Sequence, residues 1–112
     1  VRPVYASNDW RHEFLVLTPE GDLKTSQPKP LTLAGPLCFS GDIIGREVEL
    51  PTVEQGDWIV IRDTGAYTLS MWSRHCSRSI PRVLGYDQDA TEPIRVLRES
   101  ESPASMVAFW GG

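Results

Sequence analysis

The sequence predicts an all-β fold, a Greek-key-like β-barrel or sandwich closed off by a short C-terminal helix. Three observations lead there. Short runs of strand-forming residues recur along the chain, the clearest being Trp58–Arg62 ("WIVIR"), where β-branched residues alternate with period two. Gly, Pro and Asp separate the runs, and Gly-Asp recurs at 21–22, 41–42 and 56–57 at unequal spacings, which is turn chemistry and not an internal repeat. The length, 112 residues, suffices for one core, since a chain of this size buries roughly 60–70% of the surface its unfolded form exposes. Residues 1–112 therefore read as a single β domain. A domain this small cannot wall a cleft by itself, so any cleft needs a second wall from elsewhere.

In chain order, Arg11–Leu17 is apolar and extended, "TPEGD" is a turn, and Leu23–Thr25 starts the returning strand of a hairpin. "SQPKP" breaks that strand. Leu31–Ala34 is a short strand, and the loop "GPLCFSGD" (35–42) follows it. Ile43–Leu50 is a partly alternating strand ended by Pro51, "VEQGD" turns, and Trp58–Arg62 is the next strand. "DTGAYT" forms a Gly-containing loop, and Leu69–Trp72 is either a short helix or a bent strand. Arg82–Tyr86 and Ile94–Arg98 are two strands around an acidic turn. Ser102 as N-cap and Pro103 at the first helical position open a short helix whose Met106, Phe109 and Trp110 are expected to face something apolar, either this domain or a neighbour outside the chain.

Composition narrows the function classes. The net charge is −4, and no basic cluster exceeds two residues, so a nucleic-acid footprint is not expected. No apolar run approaches the ~20 residues of a membrane-spanning helix. A start at Val1 followed by Arg-Pro reads as the cut end of a longer polypeptide. Two cysteines, Cys38 and Cys76, make no disulfide framework, and the sequence gives no sign of secretion; a cytoplasmic setting or an organelle interior is expected. No metal site is expected, because the adjacent pair His75-Cys76 lacks the usual ligand spacing.

The half of the chain from Gly35 to Tyr86 carries a denser signal. Gly35, Pro36, Cys38, Ser40, Gly41 and Asp42 are followed in order by Leu50-Pro51, Gly56-Asp57, Gly65-Ala66-Tyr67, Ser73 and Arg78. This series resembles the C-terminal β-barrel of the fold-type III pyridoxal-phosphate-dependent amino-acid decarboxylases, the diaminopimelate, ornithine and arginine decarboxylase family. The opening "VRPVY" is similar to that family's Arg-Pro-x-x-Tyr segment, one residue shorter. The resemblance implies a lyase whose N-terminal α/β (TIM-like) barrel lies outside this chain. That barrel binds pyridoxal 5′-phosphate covalently through a lysine, and the active site sits at a homodimer interface. The only lysines here, Lys24 beside a turn and Lys29 between prolines, do not resemble that residue, so this chain alone is predicted inactive.

The resemblance also implies roles. Cys38 takes the position of the general acid that protonates the substrate carbon after decarboxylation; a thiol suits this, since its ordinary pKa of ~8.5 leaves it mostly protonated at neutral pH yet able to give the proton up. Tyr67 takes the position of a tyrosine that reaches the cofactor, with Gly65 giving the turn its freedom. Arg2 and Tyr5 would contact the substrate, Arg2 through its carboxylate. His12 is read as a hydrogen-bonded residue at a strand start, and Arg74 and Arg78 as solvated or paired with acidic neighbours. Phe39 departs from the pattern, because the family has an acidic residue after the cysteine that pairs with a distal ammonium. A phenyl ring cannot neutralise that charge, and an unpaired buried charge is costly. Phe39 therefore predicts a small amino-acid substrate that is not a simple diamino acid. His75 and Cys76 depart as well. Two other classes stand beside this reading, a catalytically inactive regulatory homologue and an unrelated β-barrel interaction module.

Overall fold

The computed structural model describes residues 12–112. The chain forms two compact units, Val1–Trp72 and Ser73–Gly112. In the first, strand β1 (Phe14–Leu17) pairs antiparallel with β4 (Trp58–Ile61), and β2 (Lys29–Ala34) pairs antiparallel with β3 (Ile43–Leu50). In the second, β5 (Val83–Tyr86) pairs with β6 (Ile94–Arg98), and helix α1 spans Pro103–Phe109. The all-β class holds, with one short helix. Among the described residues the pairing stops at three two-stranded sheets and does not close a barrel.

Apolar alternation places the core of the first unit. Val16, Leu33 and Leu50 are buried, with Phe14, Leu31, Ile44, Val48 and Val53 packed against them. Each fully buried Val or Leu contributes about 1.5–3 kcal/mol of transfer free energy, so these three positions tie β1, β2 and β3 together. The predicted hairpin after β1 forms, but its return is one bridge wide. Leu23 pairs with Leu17, and Lys24 N–H donates to the Val16 carbonyl at 2.9 Å. At the entrance to β1, His12 Nδ1–H donates to the Arg62 carbonyl at 3.0 Å, in the structural role expected of it.

Two local expectations are corrected. The strand after "SQPKP" starts at Lys29 and takes Pro30 in, opposite Glu49; among the described residues β2 has a partner on one side only, and an edge strand tolerates a residue without an N–H. Leu69–Trp72 is neither helix nor strand. Met71 N–H donates to the Tyr67 carbonyl at 2.9 Å, and the Ser70 hydroxyl donates to the same oxygen at 3.1 Å. A serine competing for the backbone acceptor is a common reason for a helical turn to stop.

Lys24 joins the first hairpin to the turn before β4. Its ammonium donates to Asp57 at 2.7 Å and to Glu54 at 2.9 Å, and Asp57 also accepts the Glu54 N–H at 2.7 Å. The hydrogen bond to Asp57, then that to Glu54, raises the Lys24 pKa, and the Lys24 bond, then the Glu54 N–H, lowers that of Asp57. A lowered carboxyl pKa gives stability that is present above the ordinary carboxylate range and lost as pH falls through the folded value. A raised ammonium pKa gives stability that is present below the ordinary lysine range and lost as pH rises through the folded value. Urea unfolding followed across pH should therefore show a plateau that falls at both ends in the wild type, with both limbs flattened in Lys24→Met; parallel curves for the two proteins would contradict this linkage.

Candidate functional site

The loop "GPLCFSGD" is the hairpin connection between β2 and β3, and its shape is set by one buried side chain. Asp42 is 4% exposed. Its carboxylate Oδ2 accepts the Leu37 N–H at 2.9 Å, its own N–H donates to the Phe39 carbonyl at 2.9 Å, and its carbonyl accepts the Gly35 N–H at 2.7 Å. Gly35 is required by this arrangement, because a Cβ there would collide with the Asp42 carboxylate. The last of these bonds continues the β2–β3 ladder, and the bond to Phe39 closes a tight turn over Ser40 and Gly41. Cys38 and Phe39 stand at the exposed apex.

The sheet below the loop is bent. Between Leu31↔Val48 and Leu33↔Gly45, and again between Leu33↔Gly45 and Ala34↔Ile43, β3 has one residue more than β2. Glu47, in the first of these irregularities, has φ 50°. Bulges bend a strand and raise its local twist, and they commonly re-aim side chains beside active sites. Phe39 folds forward along the loop. Its ring edge lies over Gly41, where a Cβ would meet Cζ and Cε1 of the ring. The ring remains 60% exposed, an apolar surface next to the thiol.

Tyr67 belongs to a separate loop of the same unit, after β4, and is likewise 60% exposed. Here the structure corrects the sequence reading. The left-handed residue of "GAYT" is Tyr67 itself, at φ 66°, while Gly65 is outside that region and has open space around its Cα. A non-glycine residue held there costs of order 1 kcal/mol or more and is over-represented at ligand sites. The neighbouring Thr68 Oγ1 is buried without a hydrogen-bond partner. The exposed Tyr67 phenol offers a donor that suits an acceptor oxygen such as a phosphate's, whereas the Thr68 hydroxyl is buried. Arg2 and Tyr5 lie outside the described residues.

In the second unit, Arg74 is paired with an acidic residue, one of the two alternatives the sequence offered for it, and it organises more than that pair. It donates to Glu101 at 2.6 Å, stacks over the Phe109 ring at 3.9 Å and approaches Met106 Sδ at 3.4 Å. Glu101 also accepts the Ile80 N–H at 3.4 Å, and the hydrogen bond from Arg74, ahead of that from Ile80, holds its carboxyl below the usual range. α1 is thereby pinned to the segment that carries His75 and Cys76. Cys76 and Ser77 are left-handed, at φ 56° and 52°, and Cys76 is exposed. The predicted cap is present, with Ser102 Oγ accepting the Ser105 N–H at 3.1 Å. Phe109 and Trp110 are largely exposed.

A strand-rich domain with an exposed cysteine on a hairpin loop and a left-handed, exposed tyrosine on another loop is what these features define. Comparison with known proteins gives the family. Residues 2–65 match the family described as pyridoxal-dependent decarboxylase, C-terminal sheet domain, and the chain belongs to it. It is 39% identical over 117 residues to a diaminopimelate decarboxylase of Streptomyces coelicolor, covering 96% of this chain and 25% of that protein. It is 35% identical over 85 residues to a probable ornithine decarboxylase of Dictyostelium discoideum, covering 76% of this chain and 18% of that protein. A crystal structure of diaminopimelate decarboxylase superposes with a TM-score of 0.78 at 29% identity, over 90% of this chain and 25% of that one. The M. jannaschii diaminopimelate decarboxylase in complex with L-lysine superposes at 0.70 and 31%, over 84% of this chain and 20% of that one. The chain thus spans about a quarter or less of the length of such relatives.

The two glycines give a direct check on the loop geometry. Gly35→Ala should cost about 1–3 kcal/mol of unfolding free energy, the usual cost of forcing extra volume into a packed site. Gly65→Ala should be neutral or slightly stabilising, because its Cβ meets nothing within 4 Å. Chemical denaturation of both variants measures the contrast, and equal losses would contradict the assignment.

Proposed function

We propose that this chain is the C-terminal domain of a pyridoxal-phosphate-dependent amino-acid decarboxylase. In this reading it completes a pocket whose other wall is the N-terminal α/β domain, across a homodimer interface. The observation that carries the proposal is Cys38, exposed at the apex of a loop that Asp42 bonds at Gly35, Leu37 and Phe39, in a chain of the decarboxylase sheet-domain family. Pyridoxal phosphate, when bound, supplies the electron sink that makes loss of the carboxyl group as CO2 feasible. The chain's own residues do the rest. The Cys38 thiol gives its proton to the substrate α-carbon and leaves a thiolate that regains a proton from water at the exposed apex. The Tyr67 hydroxyl donates to a phosphate oxygen. Arg2 and Tyr5 hold the substrate. Lys24 is excluded as the cofactor-bearing lysine by its two carboxylate partners, which keep it charged and non-nucleophilic.

Phe39 supports a substrate whose distal end is not a bare ammonium, although the relatives' names are those of diaminopimelate and ornithine enzymes. An exposed aromatic face gains only about 0.5–1 kcal/mol from a cation, whereas a hydrogen bond to a charged group contributes about 1.5–3 kcal/mol. The one carboxylate of the 35–42 loop, on Asp42, is turned inward and engaged by Leu37, so it does not replace the missing acid. An extended, carboxylated or less basic side chain fits the ring. Cys38 and Cys76 are not joined by a disulfide, which suits a reducing compartment such as the cytoplasm.

The visible spectrum of the full-length protein with pyridoxal phosphate, before and after borohydride, tests the reading. A band that borohydride fixes as a covalent adduct is expected. Its absence would favour a regulatory homologue. In the active protein, Cys38→Ala should lower kcat by about 10²-fold or more. Phe39→Glu should raise kcat/KM for diaminopimelate or ornithine relative to the wild type by about tenfold or more, on the energy difference above. Wild-type turnover of either diamino acid as fast as that of any other amino acid tested would overturn the specificity reading.

A further inference from the structure

The proton-donor role given to Cys38 accounts for the thiol and leaves unexplained the buried carboxylate beneath it. Residues 37 and 39, the immediate neighbours of Cys38, are both bonded to the same residue. Leu37 donates its N–H to the Asp42 carboxylate at 2.9 Å, and the Phe39 carbonyl accepts the Asp42 N–H at 2.9 Å. Cys38 is therefore bracketed on both sides by bonds to one side chain and its backbone, and Gly35 N–H to the Asp42 carbonyl at 2.7 Å closes the ring beneath. The carboxylate lies at 4% exposure in the space left by the missing Cβ of Gly35. An eight-residue connection without such a brace would place its apex on an ensemble of positions. A misplacement of about 1 Å in a reacting group costs on the order of 10²-fold in rate.

We infer that Asp42 is a positioning residue: its carboxylate holds the backbone just before Cys38, at the Leu37 N–H, while its main chain holds the Phe39 carbonyl just after, so that the thiol meets the reacting carbon in one geometry. The inference rests on the proposed role of Cys38. Asp42 itself faces inward and touches no substrate, so it acts only through the loop. The two backbone bonds, Asp42 N–H to Phe39 and Gly35 N–H to Asp42, survive any side chain at 42; the bond to Leu37 does not. An amide in place of the carboxylate keeps an acceptor oxygen for the Leu37 N–H, whereas a methyl leaves that N–H without a partner.

The test uses the full-length protein with Asp42→Ala, Asp42→Asn, Cys38→Ala and the double variant Cys38→Ala/Asp42→Ala. In the cofactor-free protein, hydrogen exchange at residues 37–42 should quicken at least about tenfold in Asp42→Ala while β2 and β3 keep their protection; Asp42→Asn should stay within about twofold of the wild type. With pyridoxal phosphate and an amino acid selected by CO2 release, Asp42→Ala should lower kcat about tenfold or more with KM within about twofold. It should lower kcat no further once Cys38 is already alanine. Unchanged exchange in Asp42→Ala, or losses that multiply in the double variant, would overturn the inference, since a merely structural residue lowers activity whether or not the thiol is there. If Asp42→Ala does not fold, Gly35→Ala displaces the same carboxylate by its added Cβ and carries both readouts. Absence of any covalent cofactor adduct in the wild type would remove the decarboxylase reading instead, while the exchange result would still show whether Asp42 holds the loop.

Discussion

One buried carboxylate sets the form of the loop on which the rest of the site depends. Asp42 satisfies a backbone donor at Leu37 and, through its own backbone, bonds Gly35 and Phe39. A buried carboxylate is tolerated where its oxygens find donors, and here the donor belongs to the loop the carboxylate closes. Features of the sequence follow from this packing of the loop. Gly35 lacks a side chain because the carboxylate occupies its place, and Gly41 lacks one because the Phe39 ring edge lies there. Ser40 and Gly41 form the tight turn, and Cys38 is left at the apex.

The sheet beneath serves the same end. The irregular register of β2 against β3 bends the hairpin below the loop, and the core residues Val16, Leu33 and Leu50 hold that hairpin to β1. Among the described residues, positive φ occurs outside glycine at Glu47, in the irregular part of β3, and at Asp63, Tyr67, Cys76 and Ser77, between the strands. Such conformations persist only where the surroundings over-determine the backbone. Around Tyr67 this is visible, since its carbonyl is bonded by both the Met71 N–H and the Ser70 hydroxyl.

Much of this was legible in the sequence, unevenly and for physical reasons. Strands with a β-branched, alternating pattern, such as Trp58–Ile61 and Ile94–Arg98, and the Ser102–Pro103 helix start follow from local chemistry, and local chemistry is what a sequence displays. Pro30 inside a strand depends on that strand having a single neighbour, and the fate of Leu69–Trp72 depends on one serine hydroxyl. The exposed cysteine could be located from its motif, but the burial of Asp42 could not, because an Asp after Ser-Gly reads as a solvated turn residue. The signal that could have found it is Gly35, a glycine with no left-handed turn to explain it. For "GAYT" the sequence suggested that Gly65 supplies the unusual backbone conformation, whereas Tyr67 adopts it. Closure into a barrel is a property of long-range pairing, and alternation within each strand does not determine it.

The central claim is that Cys38 is presented to a cofactor held by another part of the protein. A crystal structure of the full-length protein with pyridoxal phosphate bound tests it most directly, through the distance from Cys38 Sγ to the cofactor and its bound amino acid. The account predicts the thiol within about 4 Å of the reacting carbon, close enough to pass a proton directly or through one water, with the Tyr67 hydroxyl bonded to a phosphate oxygen. A structure in which the 35–42 loop faces solvent, with Cys38 and Tyr67 both remote from the bound cofactor, would contradict it.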